Sequence, residues 1–255
     1  MKLYIASDIH GYYSIFKSSL DEAGYFKDTE PHKLVILGDL FDGGNEANEL
    51  QRFVLELMDK DEVILIKGNH EDQFLETLES DGAPPFTQRV SNEIYRTALQ
   101  LTGYDWIMAQ LRYYDFVDDI KRTPFFERLL PAMRDYYETE HYVFTHGWIP
   151  SIREPSGTYR FYPAWRDAGQ MEWKNARWIN GMDAAQTAAI EGKTVICGHC
   201  HASYGHSRIE KQCSEFGADA DFSPYHGPGI ISIDACTSFS KKMNVLILRD
   251  SSIPE

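Results

Sequence analysis

Three short clusters of carboxylate, amide and imidazole side chains each follow an apolar run near the start of the chain. They read Asp8-Ile-His10-Gly11, Gly38-Asp39-Leu-Phe-Asp42-Gly43-Gly44 and Gly68-Asn69-His70-Glu71. Later in the chain, His146 and His199 also follow apolar runs. Carboxylate and amide oxygens together with neutral imidazoles suit first-row divalent cations. The set Asp8, His10, Asp39, Asn69, His146 and His199 therefore predicts a metal site.

A carboxylate can bridge two cations, and this bears on the kind of metal chemistry expected. Two metals about 3.5–4 Å apart can hold a hydroxide and clamp a phosphoryl group for in-line displacement. Asp39 lies in the middle of the first three clusters and is the natural bridge.

The apolar runs that precede these clusters predict buried strands. The expected strands are 2–7, 33–37, 63–67, 141–145 and 194–197. Apolar residues at helical spacing predict helices over 13–23, 45–58 and 71–79, between and after the first three strands. Strands that alternate with helices are parallel and are joined by right-handed crossovers, so their following loops should share one edge of the sheet.

The rest of the chain completes the predicted fold. Gly82-Ala-Pro-Pro85 interrupts the pattern, and 86–137 is aromatic-rich with helical spacing, which predicts a helical cap insertion. Late strands at 229–233 and 243–248 are expected to close a second sheet. We therefore predict a two-sheet α/β sandwich with helices outside, formed by one domain over 1–255.

Net charge and the distribution of apolar residues argue against nucleic-acid binding and membrane association. The chain has 255 residues and a formal net charge of −14, which repels nucleic-acid backbones, so no nucleic-acid partner is expected. An anionic substrate would need local cations, and bound divalent metals are the strongest of these. No apolar run approaches the ~20 residues of a membrane span, and no signal-peptide pattern opens the chain. These features predict a cytoplasmic protein without membrane association.

The order of the clusters resembles that of the calcineurin-like metallophosphoesterases, most closely their phosphoprotein-phosphatase branch (Ser/Thr phosphatase-like). The shared pieces are Asp-x-His-Gly, Gly-Asp-x-x-Asp-x-Gly, Gly-Asn-His-Glu, His-Gly and Gly-His, which span residues 8 to 199. The resemblance implies a hydrolase that uses two divalent ions, and a metal-bound hydroxide as the nucleophile.

Residue roles follow from the resemblance position by position. It implies that Asp8, His10 and Asp39 hold one metal, and that Asp39, Asn69, His146 and His199 hold the other. His70 would be the general acid beside the leaving-group oxygen. Asp42 would bind the far ring nitrogen of His70, setting its tautomer and raising its basicity.

Two arginines of the family are matched less clearly in this chain than the metal ligands are. The branch carries an arginine as phosphate clamp directly after the second carboxylate of the middle cluster, whereas this chain has Gly43 there. A second arginine lies between the last two histidine ligands, and Arg177 is the best match, with Arg160 and Arg166 as alternatives. Arg177 could instead be a structural arginine stacked between tryptophans.

Other residues near the last cluster have competing interpretations. His201 and His206 follow His199 closely and could line the site. Cys197-Gly-His-Cys200 matches the Cys-x-x-Cys of thiol–disulfide exchange enzymes, but the residues that follow it make a poor helix start, and His199 is already assigned as a ligand. The four cysteines are expected to be reduced thiols.

The sequence thus predicts a dinuclear-metal phosphoesterase that hydrolyses phosphomonoesters, either on a phosphorylated protein or in a small phosphoester. One alternative is a diadenosine-polyphosphate hydrolase, with adenines stacked on the aromatic cap. Another is a catalytically silent metal-binding module, suggested by the missing arginine. The absence of thiolates from the ligand set favours manganese, iron or zinc in exchangeable sites, with manganese expected in assays. Oligomeric state is left open.

Overall fold

The structure is a computed structural model that describes residues 1–79, 89–250 and 252. Its strands are, in chain order, β1 (Lys2–Ala6), β2 (His32–Leu37), β3 (Val63–Ile66), β4 (Tyr137–Glu138), β5 (Tyr142–Phe144), β6 (Ser151–Arg153), β7 (Tyr159–Phe161), β8 (Thr194–Cys197), β9 (Tyr225–Gly227), β10 (Ile230–Ser232) and β11 (Leu246–Arg249). The five strands predicted ahead of the ligand clusters correspond to β1, β2, β3, β5 and β8.

The α-helices connect and cover these strands. They are α1 (Tyr13–Glu22), α2 (Ala47–Asp59), α3 (Asn69–Glu79), α4 (Arg89–Thr102), α5 (Trp106–Leu111), α6 (Tyr113–Lys121), α7 (Leu130–Ala132), α8 (Gln170–Ala176), α9 (Gly181–Ala188) and α10 (Thr237–Ser240). Each of the first three begins within two residues of its predicted start.

The first sheet has the strand order β11-β1-β2-β3. β1, β2 and β3 are parallel, as the alternation of strands and helices predicts. β11 runs antiparallel to β1, with Ile247 opposite Tyr4. The prediction that the strand at 243–248 closes the second sheet is therefore wrong. An alternating apolar pattern indicates a half-buried strand, but it does not say which sheet edge the strand joins.

The second sheet has the order β4-β5-β8-β10-β9. β5, β8 and β10 are parallel, and β4 and β9 pair antiparallel at the two edges. The predicted strand at 229–233 is β10 and belongs to this sheet, as expected.

The two sheets pack face to face through alternate residues of their strands. Leu3 and Ile5 of β1 pack with Phe144, Ile196 and Ile233 of the second sheet. The intervening Tyr4 and Ala6 instead belong to an apolar cluster with α1 and α2. Since successive strand residues point to opposite faces, one short strand contributes to both layers. The predicted two-sheet α/β sandwich with helices outside is confirmed.

The outer face of the second sheet is covered by a tryptophan-rich segment. Trp148, Trp165 and Trp173 are buried there with Val143 and Val195. This segment also contains the antiparallel β6–β7 hairpin, which we did not predict. Its strands are three residues long, too short to show a clear period of two in the sequence.

The helical cap, defined here as residues 89–132, contains α4 to α7. Tyr95, Phe116 and Ile120 of the cap join the same apolar cluster as Leu50 of α2. The predicted insertion began at 86, and 86–88 lie outside the described residues. Its helices end at Ala132 rather than 137, because Tyr137–Glu138 pairs with β5 as an edge strand.

Candidate metal centre

The eight predicted site residues other than Arg177 lie just past the ends of strands from both sheets. Asp8 and His10 follow β1, Asp39 and Asp42 follow β2, Asn69 and His70 open α3 after β3, His146 follows β5, and His199 follows β8. The carboxylates, Asn69 and His146 are buried, whereas His10, His70 and His199 are half-buried. The three half-buried imidazoles mark the side of the cluster that is partly exposed to solvent.

The backbone at these strand ends adopts an unusual conformation. Asp8, His10, Asp39, Asp42 and His199 have φ between +50° and +72°, which makes them five of the nine non-glycine residues with positive φ in the described part of the chain. Such conformations are strained for residues with a Cβ, and they cluster at functional sites. The turns aim the side chains inward at a conformational cost.

Two glycines make close packing of the carboxylates feasible. A Cβ on Gly68 would collide with the Asp39 carboxylate, and one on Gly198 would collide with the Asp8 carboxylate and Ser7. Each glycine precedes a predicted ligand, Asn69 or His199. Glycine is therefore required at both positions by close approach of a side chain to the backbone.

Asp39 occupies the centre of the cluster. Its Oδ2 atom lies 3.8 Å from His10 Nε2, 3.9 Å from His70 Nε2 and 3.4 Å from His146 Nε2. Two groups of candidate ligand atoms, each within 4.8 Å of one another, share it: His10, Asp39 and His70, and Asp8, Asp39 and His146. A carboxylate common to two donor groups has the placement that a bridging ligand needs.

Two imidazoles point ring nitrogens at the amide oxygen of Asn69. His146 Nδ1–H donates to the Leu37 carbonyl oxygen at 2.6 Å, and its Nε2 faces Asn69 Oδ1 at 2.7 Å. His199 Nδ1 lies 2.9 Å from the same amide oxygen, and the Trp178 backbone binds the imidazole as well. Burial, followed by the charge of His146, lowers the pKa of His199 to about 4, which keeps this ring neutral.

His10 is oriented in the same way on the other side of Asp39. Its Nδ1–H points to the carbonyl oxygens of Phe41 and Asp42, at 3.0 and 2.9 Å. Nε2 is therefore an acceptor, and it faces Asp8 and Asp39. Backbone carbonyls thus set the tautomers of His10 and His146, as is usual for metal-binding histidines.

The carboxylates of this site carry negative charge that needs a proton or a cation to balance it. Burial lowers the pKa of His146, but the charge of Asp39 and the hydrogen bond to it outweigh burial and raise that pKa to about 10. Burial, with the charge of Asp39, raises the pKa of Asp8 to about 6. Without metal, at least one of these residues therefore holds a proton, and divalent cations would balance the same negative charge. The residues present fit such cations.

Glu71 connects two of the strand-end loops, a role that the sequence did not suggest. Its buried carboxylate accepts the backbone N–H groups of Asp39, Leu40 and Gly68, at 3.0, 2.9 and 2.7 Å. Glu71 is the last residue of Gly-Asn-His-Glu, so its position in that motif was the only available signal. It fixes the backbone that presents Asp39 and Asn69.

His70 and Asp42 form a pair beside the cluster. His70 Nδ1–H donates to Asp42 Oδ2 at 3.2 Å. Burial lowers the pKa of His70, but the hydrogen bond that it donates to Asp42 and the charges of Asp39 and Asp42 outweigh burial and raise that pKa to about 9. Thr97 of the cap donates from Oγ1 to Asp42 Oδ1 at 2.8 Å and accepts from the Asp42 N–H at 3.2 Å. The pair can hold a proton at the edge of the site.

Arg177 does not have the surroundings expected of a phosphate clamp. Its guanidinium is buried and donates to the Lys67 carbonyl oxygen, to Asp72 at 2.7 Å and to Asp135. All three nitrogens are committed to protein acceptors. The expectation of phosphate contact is therefore corrected: the residue bridges segments around α3 and α8 as a structural arginine.

The other residues near the last cluster also have protein partners. His201 binds Glu215 at 2.9 Å, and His206 binds Glu210 at 2.8 Å. All four cysteines are free thiols. Burial raises the pKa of both thiols of Cys197-Gly-His-Cys200, to about 12 for Cys200. A thiol this hard to ionise is a poor nucleophile, which argues against the redox interpretation.

The sandwich with an oxygen and imidazole cluster at its strand ends defines a metal-dependent hydrolase. The chain belongs to the calcineurin-like phosphoesterase family, whose model matches residues 1–217. The expected family resemblance and the expected metal-dependent phosphatase activity are thereby confirmed. Members of the family use divalent metals.

Solved structures share the fold at low sequence identity. A cold-active protein tyrosine phosphatase is 16% identical, with a TM-score of 0.56 over 97% of this chain and 73% of that one. The cold-active protein-tyrosine phosphatase of a psychrophile, Shewanella sp., is 15% identical, with a TM-score of 0.53 over 98% and 75%. A putative diadenosine tetraphosphatase is 13% identical, with a TM-score of 0.50 over 97% and 89%.

No curated protein matches the sequence of this chain. Across residues 1–79, 89–250 and 252, none of the helices has the length and apolar character needed to cross a bilayer.

Proposed function

We propose that the protein is a dinuclear-metal phosphomonoesterase. One cation would be held by Asp8, His10 and Asp39, and the other by Asp39, Asn69, His146 and His199. Asp39 would bridge the two, in keeping with its shared place in both groups of candidate ligands.

The observation that carries this proposal is the convergence of two imidazole nitrogens on Asn69 and Asp39. His146 Nε2 and His199 Nδ1 both lie within 2.9 Å of Asn69 Oδ1, and His146 Nε2 is also 3.4 Å from Asp39 Oδ2. Without metal, a proton on His146 can serve only some of these oxygens, whereas a divalent cation could accept lone pairs from the amide, the carboxylate and both imidazoles at once.

Bound divalent cations would supply charge neutralisation for the phosphate and a water activated at neutral pH. The remaining work belongs to the residues of the chain. His70 would donate a proton to the leaving oxygen, and its raised pKa keeps that proton available near neutrality. Asp42 would hold the imidazole in place, and Glu71 would fix the loops that present Asp39 and Asn69.

The metals are proposed to be manganese, with iron or zinc as alternatives. The proposed ligands contain no thiolate, which disfavours a closed structural zinc site. The carboxylate and amide oxygens of the set would suit manganese, and its imidazoles would suit iron or zinc.

For the substrate, we propose a phosphorylated protein or a small phosphoester. A diadenosine polyphosphate is the second candidate, and Trp178 is the observation that favours it. Its ring lies 5.7 Å from that of His199, edge to face, and half of the residue is exposed to solvent. An exposed indole beside the metal cluster could stack a nucleobase.

One experiment separates these functions. The protein would be incubated with manganese and a panel of phosphopeptides, nucleoside monophosphates and diadenosine polyphosphates, and the products would be identified by chromatography. Release of inorganic phosphate from the monoesters supports the proposal. Cleavage of only the dinucleoside polyphosphates, with nucleotides as products, would replace it by the second candidate, and Trp178→Ala should then weaken that substrate selectively.

A further inference from the structure

The proposed site is rich in buried negative charge. Asp8, Asp39, Asp42 and Glu71 are all buried at or beside it, within a chain whose net charge is −14. A phosphate dianion that reaches this place gains from any cation supplied by the protein. Arg177 is not available for this, because its donors are taken by Asp72, Asp135 and a backbone carbonyl.

Arg96 of α4 is a cation with unused donors next to the site. Its Nη1 atom donates to the Gly43 carbonyl oxygen at 3.1 Å, and the residue is exposed. Most arginines of the described chain have a carboxylate partner. Arg96 pairs with no carboxylate among the described residues, so most of its donors face solvent.

The Gly43 carbonyl that Arg96 contacts belongs to the loop after β2, which carries Asp39 and Asp42. Gly43 directly follows Asp42, the partner of His70. A Cβ on Gly43 would lie 3.3 Å from the His10 carbonyl oxygen and 3.5 Å from His10 Cβ. The guanidinium therefore lies on the loop that carries Asp42, next to His10, one of the half-buried imidazoles of the cluster.

The helix that carries Arg96 is fixed to this loop by its neighbours. Thr97, the next residue, makes two hydrogen bonds with Asp42. One turn later, Gln100 donates to the Gly44 carbonyl oxygen at 3.2 Å and accepts from the Ala47 N–H at 3.0 Å. The backbone of Arg96 is thus held against the loop, while its side chain is exposed to solvent.

We propose that Arg96 binds the phosphate group of the substrate at the rim of the metal cluster. This inference rests on the proposed function. A guanidinium offers parallel N–H donors whose spacing matches two phosphate oxygens, and it needs only to turn from the Gly43 carbonyl to reach them. The helical cap would then contribute directly to substrate binding, by supplying the cation that the strand-end loops lack.

The test measures binding of inorganic phosphate to the manganese-loaded protein by titration calorimetry, so that it does not depend on turnover. Arg96→Ala should weaken phosphate binding by about 10-fold to 100-fold, the range for a lost charge-assisted hydrogen-bonding pair. Arg96→Lys should weaken phosphate binding less than Arg96→Ala, because lysine keeps the positive charge but lacks the parallel N–H donors of a guanidinium. Manganese content and melting temperature should match wild type in both variants.

Arg122→Ala is the matched control, because this exposed arginine of the same cap pairs with Asp119 instead. It should bind phosphate like wild type. Equal phosphate affinity for wild type and Arg96→Ala, or no phosphate binding by wild type, would overturn the role of Arg96. Turnover of phosphomonoesters by wild type is scored separately. Binding that depends on Arg96 without such turnover would support this inference and reject the proposed function.

Discussion

The strand-end loops and the helical cap contribute to the same site in different ways. The loops after β1, β2, β3, β5 and β8 present the candidate ligands, and backbone carbonyls orient the rings of His10 and His146. The cap reaches the site through side chains of one helix, with Thr97 on Asp42 and Arg96 on the Gly43 carbonyl. The loops are rigid and strained, whereas the cap contact is a small set of hydrogen bonds.

This difference suggests a division of labour. Metal binding needs several ligands at fixed separations, which strand ends joined by Glu71 can provide. Proton transfer and phosphate binding need adjustable contacts, which a helix docked on a loop can provide. Changes to the proposed metal ligands in the loops should therefore remove metals and activity together, while changes to the His70–Asp42 pair or to the cap should alter activity with the metals retained.

Asp39→Asn should have the largest effect. A neutral amide is a poor bridge between two cations, so both metal binding and activity should be lost for every substrate. We expect a decrease in kcat/KM of more than about 10⁴-fold, beyond that for loss of a general acid alone. Metal content by elemental analysis and turnover of two unrelated phosphoesters would be measured. Asp61→Asn, at an exposed carboxylate paired with Lys33, is the control and should behave as wild type.

Retention of two metals by Asp39→Asn would contradict the bridging role. It would then place the cations elsewhere in the cluster, for example on the His10 and His70 side.

His70→Asn should have the next largest effect and should separate acid catalysis from metal binding. Metals should be retained, and kcat should fall by about 10²–10⁴-fold for an alkyl phosphate such as phosphoserine. Nitrophenyl phosphate should lose less, because nitrophenolate is stable as an anion and needs no proton. His141→Asn, at an exposed histidine, is the control. Equal losses on both substrates with metals bound would reassign His70 to phosphate binding.

The sequence predicted the loops better than the cap, for a physical reason. Residues that follow parallel strands meet at one edge of the sheet. The positions of the predicted ligands after strands were therefore enough to predict that they lie close together, and these are Asp8, His10, Asp39, Asn69, His146 and His199. Contacts such as Thr97 with Asp42, or Arg177 with Asp72 and Asp135, join residues far apart in the chain, and neither partner carries a local pattern. For the same reason, the sequence placed β11 in the wrong sheet.

Asp42→Asn should change the pH profile rather than the metal content. The Asp42 carboxylate raises the pKa of His70, so a neutral amide should lower that pKa. His70 would then lose its proton at lower pH, and the alkaline limb of the kcat profile should move to lower pH than in wild type. Bound metals act on His70 in both proteins, so the difference between the two profiles is the measurement. An unchanged alkaline limb would separate Asp42 from the acid.

Thr97→Val should have the smallest effect and tests the cap contact itself. Valine has nearly the same shape, but it leaves the Asp42 N–H and one carboxylate oxygen without their cap partner. Leaving such buried groups unpaired costs about 1–3 kcal/mol, which should appear in the free energy of unfolding from denaturant titration. The loss in kcat should be smaller than for Asp42→Asn, because Asp42 keeps its hydrogen bond to His70. Thr102→Val is the control on the same helix. The Thr102 hydroxyl donates to carbonyl oxygens of its own helix, which keep their helical partners, and it accepts a long hydrogen bond of 3.5 Å from the Tyr104 N–H. If the two valine variants have equal stability and activity, the docking of α4 on the Asp42 loop does not depend on Thr97, and the cap is held there by its apolar contacts alone.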